Sequence, residues 1–272
     1  MEKLNVHPRV CLNPITSMRW TLEEDVAFCR EAGVEAITVP YFKFRDRAEE
    51  GIALIKGAGL KGVGMATGGD SLIDSGQKTL ERLKGAIDTA VALGCPSVYG
   101  VVGPSPSKMT TDDACNRLIS CLAPANIYAR SNGVRIAFEQ NAILTRSHGF
   151  MHTLADQVYV AREADIGICL VLQNCWYERN LDRLFRENVD RIVLVQVSDF
   201  KVTADDPVKY NRRVPGDGDA PLEWMLERLL NAGYQGYFDI EVLGPAVEAE
   251  GYPSVIRRSM DWMSERLSAW GV

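Results

Sequence analysis

Apolar residues along this chain gather in short runs, and between the runs they recur every three or four positions. The runs predict buried strands near Val10–Asn13, Ala36–Pro40, Gly62–Ala66, Ser97–Val101, Arg135–Glu139, Ile168–Gln173, Ile192–Val197 and Tyr237–Val242. The stretches between them predict amphipathic helices. The first opens at Thr21, an N-cap with Glu24 three residues on to complete a capping box, and closes at Gly33. Further helices are expected at Arg47–Ala58, Lys78–Leu93, Asp112–Arg130, Leu154–Glu163, Leu181–Glu187, Leu222–Asn231 and Val255–Ala269. Gly33, Gly59, Gly94, Gly133 and Gly233 each stand just before a strand, at the turn out of a helix. Such strict alternation implies a parallel sheet with right-handed crossovers. Eight units in 272 residues fit a closed (β/α)8 barrel, expected as one domain over residues 1–272. An open doubly wound sheet competes with it, but Gly68-Gly69-Asp70 lacks the glycine spacing of a phosphate loop, and no Pro/Gly/Ser-rich linker divides the chain.

Alternation within a strand decides which residues enter the barrel. In the fifth strand the large apolar Ile136 and Phe138 should face the helices, which turns Glu139 inward at the strand's C-terminal end. The same reasoning turns Gln173 inward in the sixth strand, Gln196 in the seventh and Glu241 in the eighth. A lone inward glutamate is equally well read as the partner of a core arginine, and Arg135 is close in sequence. Four polar side chains at matching depth, at the face where barrels carry their chemistry, point instead to a site, because a buried carboxylate is costly unless paired, hydrogen-bonded or bound to a metal.

Composition narrows the function classes. Hydrophobic residues make up 46% and charged residues 24% of the chain, enough apolar material for one large core. The formal net charge of -6, without a basic block, argues against a nucleic-acid partner. No apolar run approaches the roughly 20 residues that cross a bilayer, and MEKLNVHPRV has no secretory apolar region. Seven cysteines, Cys11, Cys29, Cys95, Cys115, Cys121, Cys169 and Cys175, form no CxxC pair and read as reduced core residues. A cytoplasmic protein with a small-molecule substrate and no membrane partner is therefore expected, with homo-oligomer formation left open by the absence of a diagnostic exposed stripe.

Several segments together resemble the sugar-phosphate isomerase/epimerase superfamily of xylose-isomerase-like TIM barrels. WTLEEDVAFCREAGVEAI is similar to that family's first helix running into its second strand, and IAFEQN to its fifth-strand glutamate motif. VLVQVSDFK resembles a strand that usually reads Val-His-Val-x-Asp. RRVPGDGDAPLEWMLERLLNAGYQGYFDIEVLG resembles its Arg–Pro-Gly-x-Gly loop, seventh helix and final glutamate strand. The resemblance covers nearly the whole chain. It implies a one-metal enzyme in which a Glu, an Asp, a His and a second Glu hold the ion; carried over, these positions are Glu139, Gln173, Gln196 and Glu241. Both glutamates match, whereas the Asp and the His have each become Gln, and a nearby second His has become Trp176. Two neutral amides replace one charge and one strong donor. The expectation is a protein that works without a cofactor, with a weakly bound Mg²⁺ or Mn²⁺ at those four positions as the alternative.

In metal-dependent relatives of this kind, paired glutamates move a proton beside a carbonyl and the metal stabilises the enediolate. Here Glu139 and Glu241 are the candidate acid/base pair, and their mutual repulsion should raise the pKa of one. Gln173 and Gln196 could supply N–H donors, and Arg212, Arg213 and Lys201 positive charge. His148 is a candidate substrate contact or acid/base on the loop after Glu139; His152 reads as an exposed loop residue and His7 as inert. Asp199 reads as an organiser of neighbouring loops. Trp20, Tyr41, Phe42, Met65, Phe150, Trp176, Tyr177 and Phe200 gather at predicted strand ends and suggest a cyclic or partly apolar substrate. The expected activity is isomerisation, epimerisation or a proton-transfer-driven elimination. The rival readings are a metal-dependent sugar epimerase or isomerase, a barrel that binds a ligand without turnover, and the superfamily's DNA-repair endonucleases. That last branch uses a His-rich metal cluster, which three histidines and an acidic chain make a poor match.

Overall fold

From the second onward, each barrel strand begins shortly after the turn that ends the preceding helix, and the computed structural model, which describes residues 3–44, 46–142, 145–202 and 211–272, closes the strands into a ring. The strands are β1 (Val10–Leu12), β2 (Ala36–Pro40), β3 (Lys61–Ala66), β4 (Ser97–Gly100), β5 (Arg135–Phe138), β6 (Gly167–Val171), β7 (Ile192–Val197) and, beyond a small ribbon, β10 (Tyr237–Ile240). They form a closed parallel barrel in the order β1-β10-β7-β6-β5-β4-β3-β2. The ribbon consists of β8 (Asp199–Phe200) paired antiparallel with β9 (Arg212–Arg213). Around the barrel run α1 (Leu22–Ala32), α2 (Ala48–Gly57), α3 (Gly76–Leu93), α4 (Thr111–Ser131), α5 (Leu154–Glu163), α6 (Leu181–Asn188), α7 (Leu222–Asn231) and α9 (Tyr252–Ala269). The ribbon and a short α8 (Pro245–Glu250) were not expected from the sequence.

The pleat sorts side chains as the pattern predicts. Cys11, Ala36, Val63, Ala66, Tyr99, Ala137, Cys169 and Leu194 form a small-residue cluster inside the barrel, with Tyr99 as its one large ring. Val10, Ile37, Val98, Ile136, Phe138, Ile168, Leu170, Val195, Val197, Phe238 and Ile240 join the helices in the larger outer core. Thr21 caps α1 through the expected reciprocal box with Glu24, and Gly33 closes it at φ +79°, a left-handed conformation that disfavours any side chain. All seven cysteines are free and buried. Among the described residues no helix is long and apolar enough to cross a membrane.

One buried ion pair braces the rim. Asp25 lies on the inner face of α1 and Lys43 in a single 3-10 turn (Tyr41–Lys43) after β2. Lys43 Nζ donates to Asp25 Oδ2 at 2.6 Å and to Ser17 O at 2.9 Å, while Ser17 Oγ donates to Asp25 Oδ1 at 2.5 Å. Burial outweighs the lysine and raises the Asp25 carboxyl to about 7. Lys43→Met strands that carboxyl, and removing one partner of a buried pair costs about 3–5 kcal/mol. Denaturant unfolding should show the larger loss at pH 9 than at pH 5, because the unpaired acid is protonated in the folded state and ionised in the unfolded one.

Candidate active site

Glu139 follows β5 directly, and its N–H continues the β4–β5 ladder by donating to Gly100 O at 2.9 Å. Glu241 follows β10 in the same way, donating to Val197 O at 3.3 Å. Both are buried, 8% and 4% exposed. Gln196 lies within β7, fully buried, level with Asp239 on one side and Val171 on the other. The expected inward turn therefore holds for Glu139, Gln196 and Glu241. Gln173 is different. β6 ends at Val171, and Gln173 sits in a 3-10 turn (Leu172–Asn174), so strand alternation no longer places it.

Charge is distributed unevenly among these groups. Arg212 pairs with the Glu241 carboxylate, and its Nη1 also donates to Glu241 O at 3.0 Å. Burial raises the Glu139 carboxyl to about 8, with the negative Glu241 adding to the rise and Arg212 opposing it. The sequence predicted a raised acid from mutual repulsion; burial is the larger cause. The structure adds a third carboxyl, Asp239, two residues before Glu241 and on the same face of β10. It accepts from Asn13 Nδ2 at 2.8 Å, Thr38 Oγ1 at 3.0 Å and Cys11 Sγ at 3.3 Å. Burial, and then Glu241, raises Asp239 to about 7 against those three donors. Its signal was present in the Phe-Asp-Ile-Glu alternation.

The ribbon delivers Arg212. Phe200 pairs with Arg212, and Asp199 with Arg213. Asp199 then gathers the following loop, accepting N–H groups from Phe200 (2.7 Å), Gly216 (3.0 Å), Gly218 (3.0 Å) and Ala220 (3.1 Å). A Cβ at Gly218 would lie 2.2 Å from Asp199 Oδ1, so the loop's close wrap depends on glycine there. Asp199→Asn puts an NH₂ against N–H donors. It is expected to lower kcat/KM by at least about 10-fold through Arg212, on the scale of misplacement effects, with the far-UV spectrum unchanged.

Other candidates are spread more widely. His148 is exposed on the loop after β5, with Nδ1 3.1 Å from Ser147 Oγ. His152, expected to be a bland loop residue, is half-buried: its Nδ1–H donates to Asn141 O at 2.9 Å, which leaves Nε2 to accept from Arg146 Nη1 at 3.3 Å. Lys201 is exposed just past the ribbon's first strand. Trp176 is half-buried and meets Tyr177 edge-on, centroids 5.8 Å apart. The aromatic group thins out. Met65 and Phe150 are core residues, and Trp20 packs on Phe28 and Tyr252. Phe42 and Tyr177 remain exposed. Arg135, considered as a partner for an inward glutamate, instead donates to the carbonyls of Asp190 and Ile166.

Several buried polar atoms at the C-terminal mouth have no protein partner: both amide atoms of Gln196, Oε1 of Gln173, Oδ1 of Asn141 and Nε of Arg212. Such groups are costly unless something satisfies them, and a polar ligand reaching them would do so. They do not describe a good cage for a divalent ion. At the four positions to which the resemblance assigns a metal, the Arg212 guanidinium engages Glu241, and Gln173 and Gln196 offer neutral amides.

The family now follows from independent evidence. A family model described as a xylose isomerase-like TIM barrel matches residues 26–266, and the chain belongs to that family. An inosose isomerase of Halalkalibacterium halodurans is 24% identical over 204 residues, covering 71% of this chain and 69% of the relative. The IOLI protein, solved with a bound zinc atom, superposes with a TM-score of 0.81 at 16% identity, covering 96% of this chain and 99% of the other. The 3-keto-D-glucoside 4-epimerase of E. coli superposes with a TM-score of 0.71 at 18% identity, covering 91% and 97%. The activities named among these proteins are isomerase and epimerase, the enzyme class to which the sequence pointed.

Proposed function

We propose that this protein is an isomerase or epimerase that moves a proton on the carbon beside the carbonyl of a cyclic polyhydroxylated ketone, with Glu139 and Glu241 as the acid/base pair and no metal. The observation that carries this reading is the asymmetry of the two glutamates: Arg212 pairs with the Glu241 side chain, while Glu139 is buried, which favours its protonated form. One acid and one base at a single mouth are what proton transfer at carbon requires.

The Glu241 carboxylate takes the proton from the carbon next to the carbonyl, the C–H electron pair forms the enediolate, and the Glu139 carboxyl delivers its proton to the oxygen or carbon being rebuilt. The negative charge that leaves Glu241 appears on the enediolate beside Arg212 and passes to Glu139 when its proton is delivered; loss of the new proton from Glu241 to solvent and uptake of one by Glu139 restore the starting pair. Gln196, with a donor and an acceptor both unengaged by protein, can follow the oxygen as it changes from carbonyl to enol.

The names of the inosose isomerase and the keto-glucoside epimerase support a cyclic ketone carrying several hydroxyls. The aromatic residues suggested a cyclic or partly apolar substrate; with Met65, Phe150 and Trp20 taken up by packing, the unpartnered amides favour hydroxyl groups on the ring over apolar ones. The test is solvent exchange. Incubated with an inosose (a cyclohexane polyol ketone) in D₂O and a chelator, the protein should place deuterium on the carbon beside the carbonyl. No exchange with the chelator present, restored by added Mn²⁺ or Mg²⁺, would replace this reading by the metal-dependent one. No exchange under either condition would reject the substrate class.

A further inference from the structure

A backbone carbonyl fixes which way one amide of the mouth points. Gln140 O can only accept, and Asn174 Nδ2 donates to it at 2.8 Å. Asn174 Oδ1 is thereby turned the other way, where it accepts from Gln173 Nε2 at 2.7 Å. With its NH₂ facing Asn174, Gln173 keeps Oε1 unpartnered and buried at the mouth. Flipping Gln173 alone would set two oxygens together. Flipping Asn174 as well would set its oxygen against the Gln140 carbonyl. The anchor itself is pinned, because the Gln140 side chain donates to Val171 O at 3.0 Å and accepts from Val171 N at 3.4 Å, closing the end of β6. The sequence suggested that Gln173 supplies N–H donors; the network assigns it the opposite polarity.

We infer that Asn174 is a positioning residue that locks Gln173 as an acceptor, so that the site selects a ligand presenting a hydroxyl O–H at this point and rejects one presenting an ether, carbonyl or carboxylate oxygen. The inference rests on the cyclic polyhydroxy-ketone reading above. Gln196 cannot set this preference, since both of its amide atoms lack protein partners and either can meet the ligand. Gln173 has no such freedom. A ligand oxygen without a hydrogen would face Oε1 lone pair to lone pair and leave it buried and unsatisfied, the situation in which polar sites discriminate most strongly.

The test uses an inosose and its set of singly fluorinated analogues, because C–F keeps the size of C–OH but cannot donate. For the wild-type enzyme, fluorine at one ring position is expected to lower kcat/KM by on the order of 10²-fold, with smaller losses elsewhere. In Asn174→Leu, where Gln173 can turn, and in Gln173→Met, where the acceptor is gone, that position's penalty should shrink to within about 10-fold of the others. The wild-type profile is readable even if one variant fails to fold. Turnover of the parent with no position singled out, or a penalty unchanged in both variants, overturns the inference and leaves the substrate class standing. No turnover or binding of the parent overturns both.

Discussion

Glu139→Gln should lower kcat by about 10²–10⁴-fold, the usual contribution of a positioned general acid or base, while leaving the barrel folded. The substitution keeps the size and polarity of the side chain and removes only its transferable proton. The wild-type rate should fall as pH rises through about 8, where Glu139 loses that proton, and this limb should vanish from the residual activity of the variant. Stability supplies a second, independent readout. The Glu139 carboxyl is raised from an ordinary value near 4.5 to about 8 on folding. The folded state therefore binds the proton more tightly, and the associated stability is fully present below about 4.5 and lost as pH rises through about 8. At about 1.4 kcal/mol per unit this amounts to a few kcal/mol. Glu139→Gln should flatten the decline, which denaturant titrations at pH 5 and pH 9 would measure. Full activity in both Glu139→Gln and Glu241→Gln would end the acid/base assignment.

Arg212→Met carries the other large effect, and it should act on both stability and activity. The guanidinium pairs with a carboxylate that is itself buried, so its removal leaves Glu241 without a compensating charge, at a cost of about 3–5 kcal/mol. Activity should fall as well, because the charge that leaves Glu241 during proton transfer would then develop without a cation beside it. The double variant Arg212→Met/Glu241→Gln separates the two losses. Neutralising both partners should recover most of the stability, since no bare charge remains, and none of the activity. A single variant as stable as wild type would show that the pair is solvated rather than buried. A double variant that regains turnover would show that neither group takes part in the chemistry.

The alternation of apolar and polar residues made the barrel and three of its inward side chains legible before any coordinates. Ile136/Phe138 against Glu139, and Phe238/Ile240 against Glu241, carry a period of two that only a strand with two different faces would keep. The same rule puts Asp239 on Glu241's face, but one step inside the strand, below the ends where barrels carry their chemistry. For Gln173 the rule gives no physical reason, because β6 gives way to a 3-10 turn one residue earlier and the period of a turn is not two, although its Oε1 is buried. The Arg212–Glu241 pair was hidden because its members are far apart in sequence and meet only when β8 and β9 fold back over the barrel. Asp25 is one of three acids in the first turn of α1, a place where acids are favoured for other reasons; nothing local says that Lys43 will be buried against it.

The ring order gives the barrel two unlike halves. Glu139, Gln196 and Glu241 all come from the consecutive strands β10, β7, β6 and β5 or the residues just beyond them. The other four end at Leu12, Pro40, Ala66 and Gly100, and among the described residues the one cation just beyond them, Lys43, is tied to Asp25 and Ser17. Diversification of the loops after β2, β3 and β4 could therefore change which compound is accepted while the proton-moving half stays intact. A selection for new substrates would do best to begin on that quiet side.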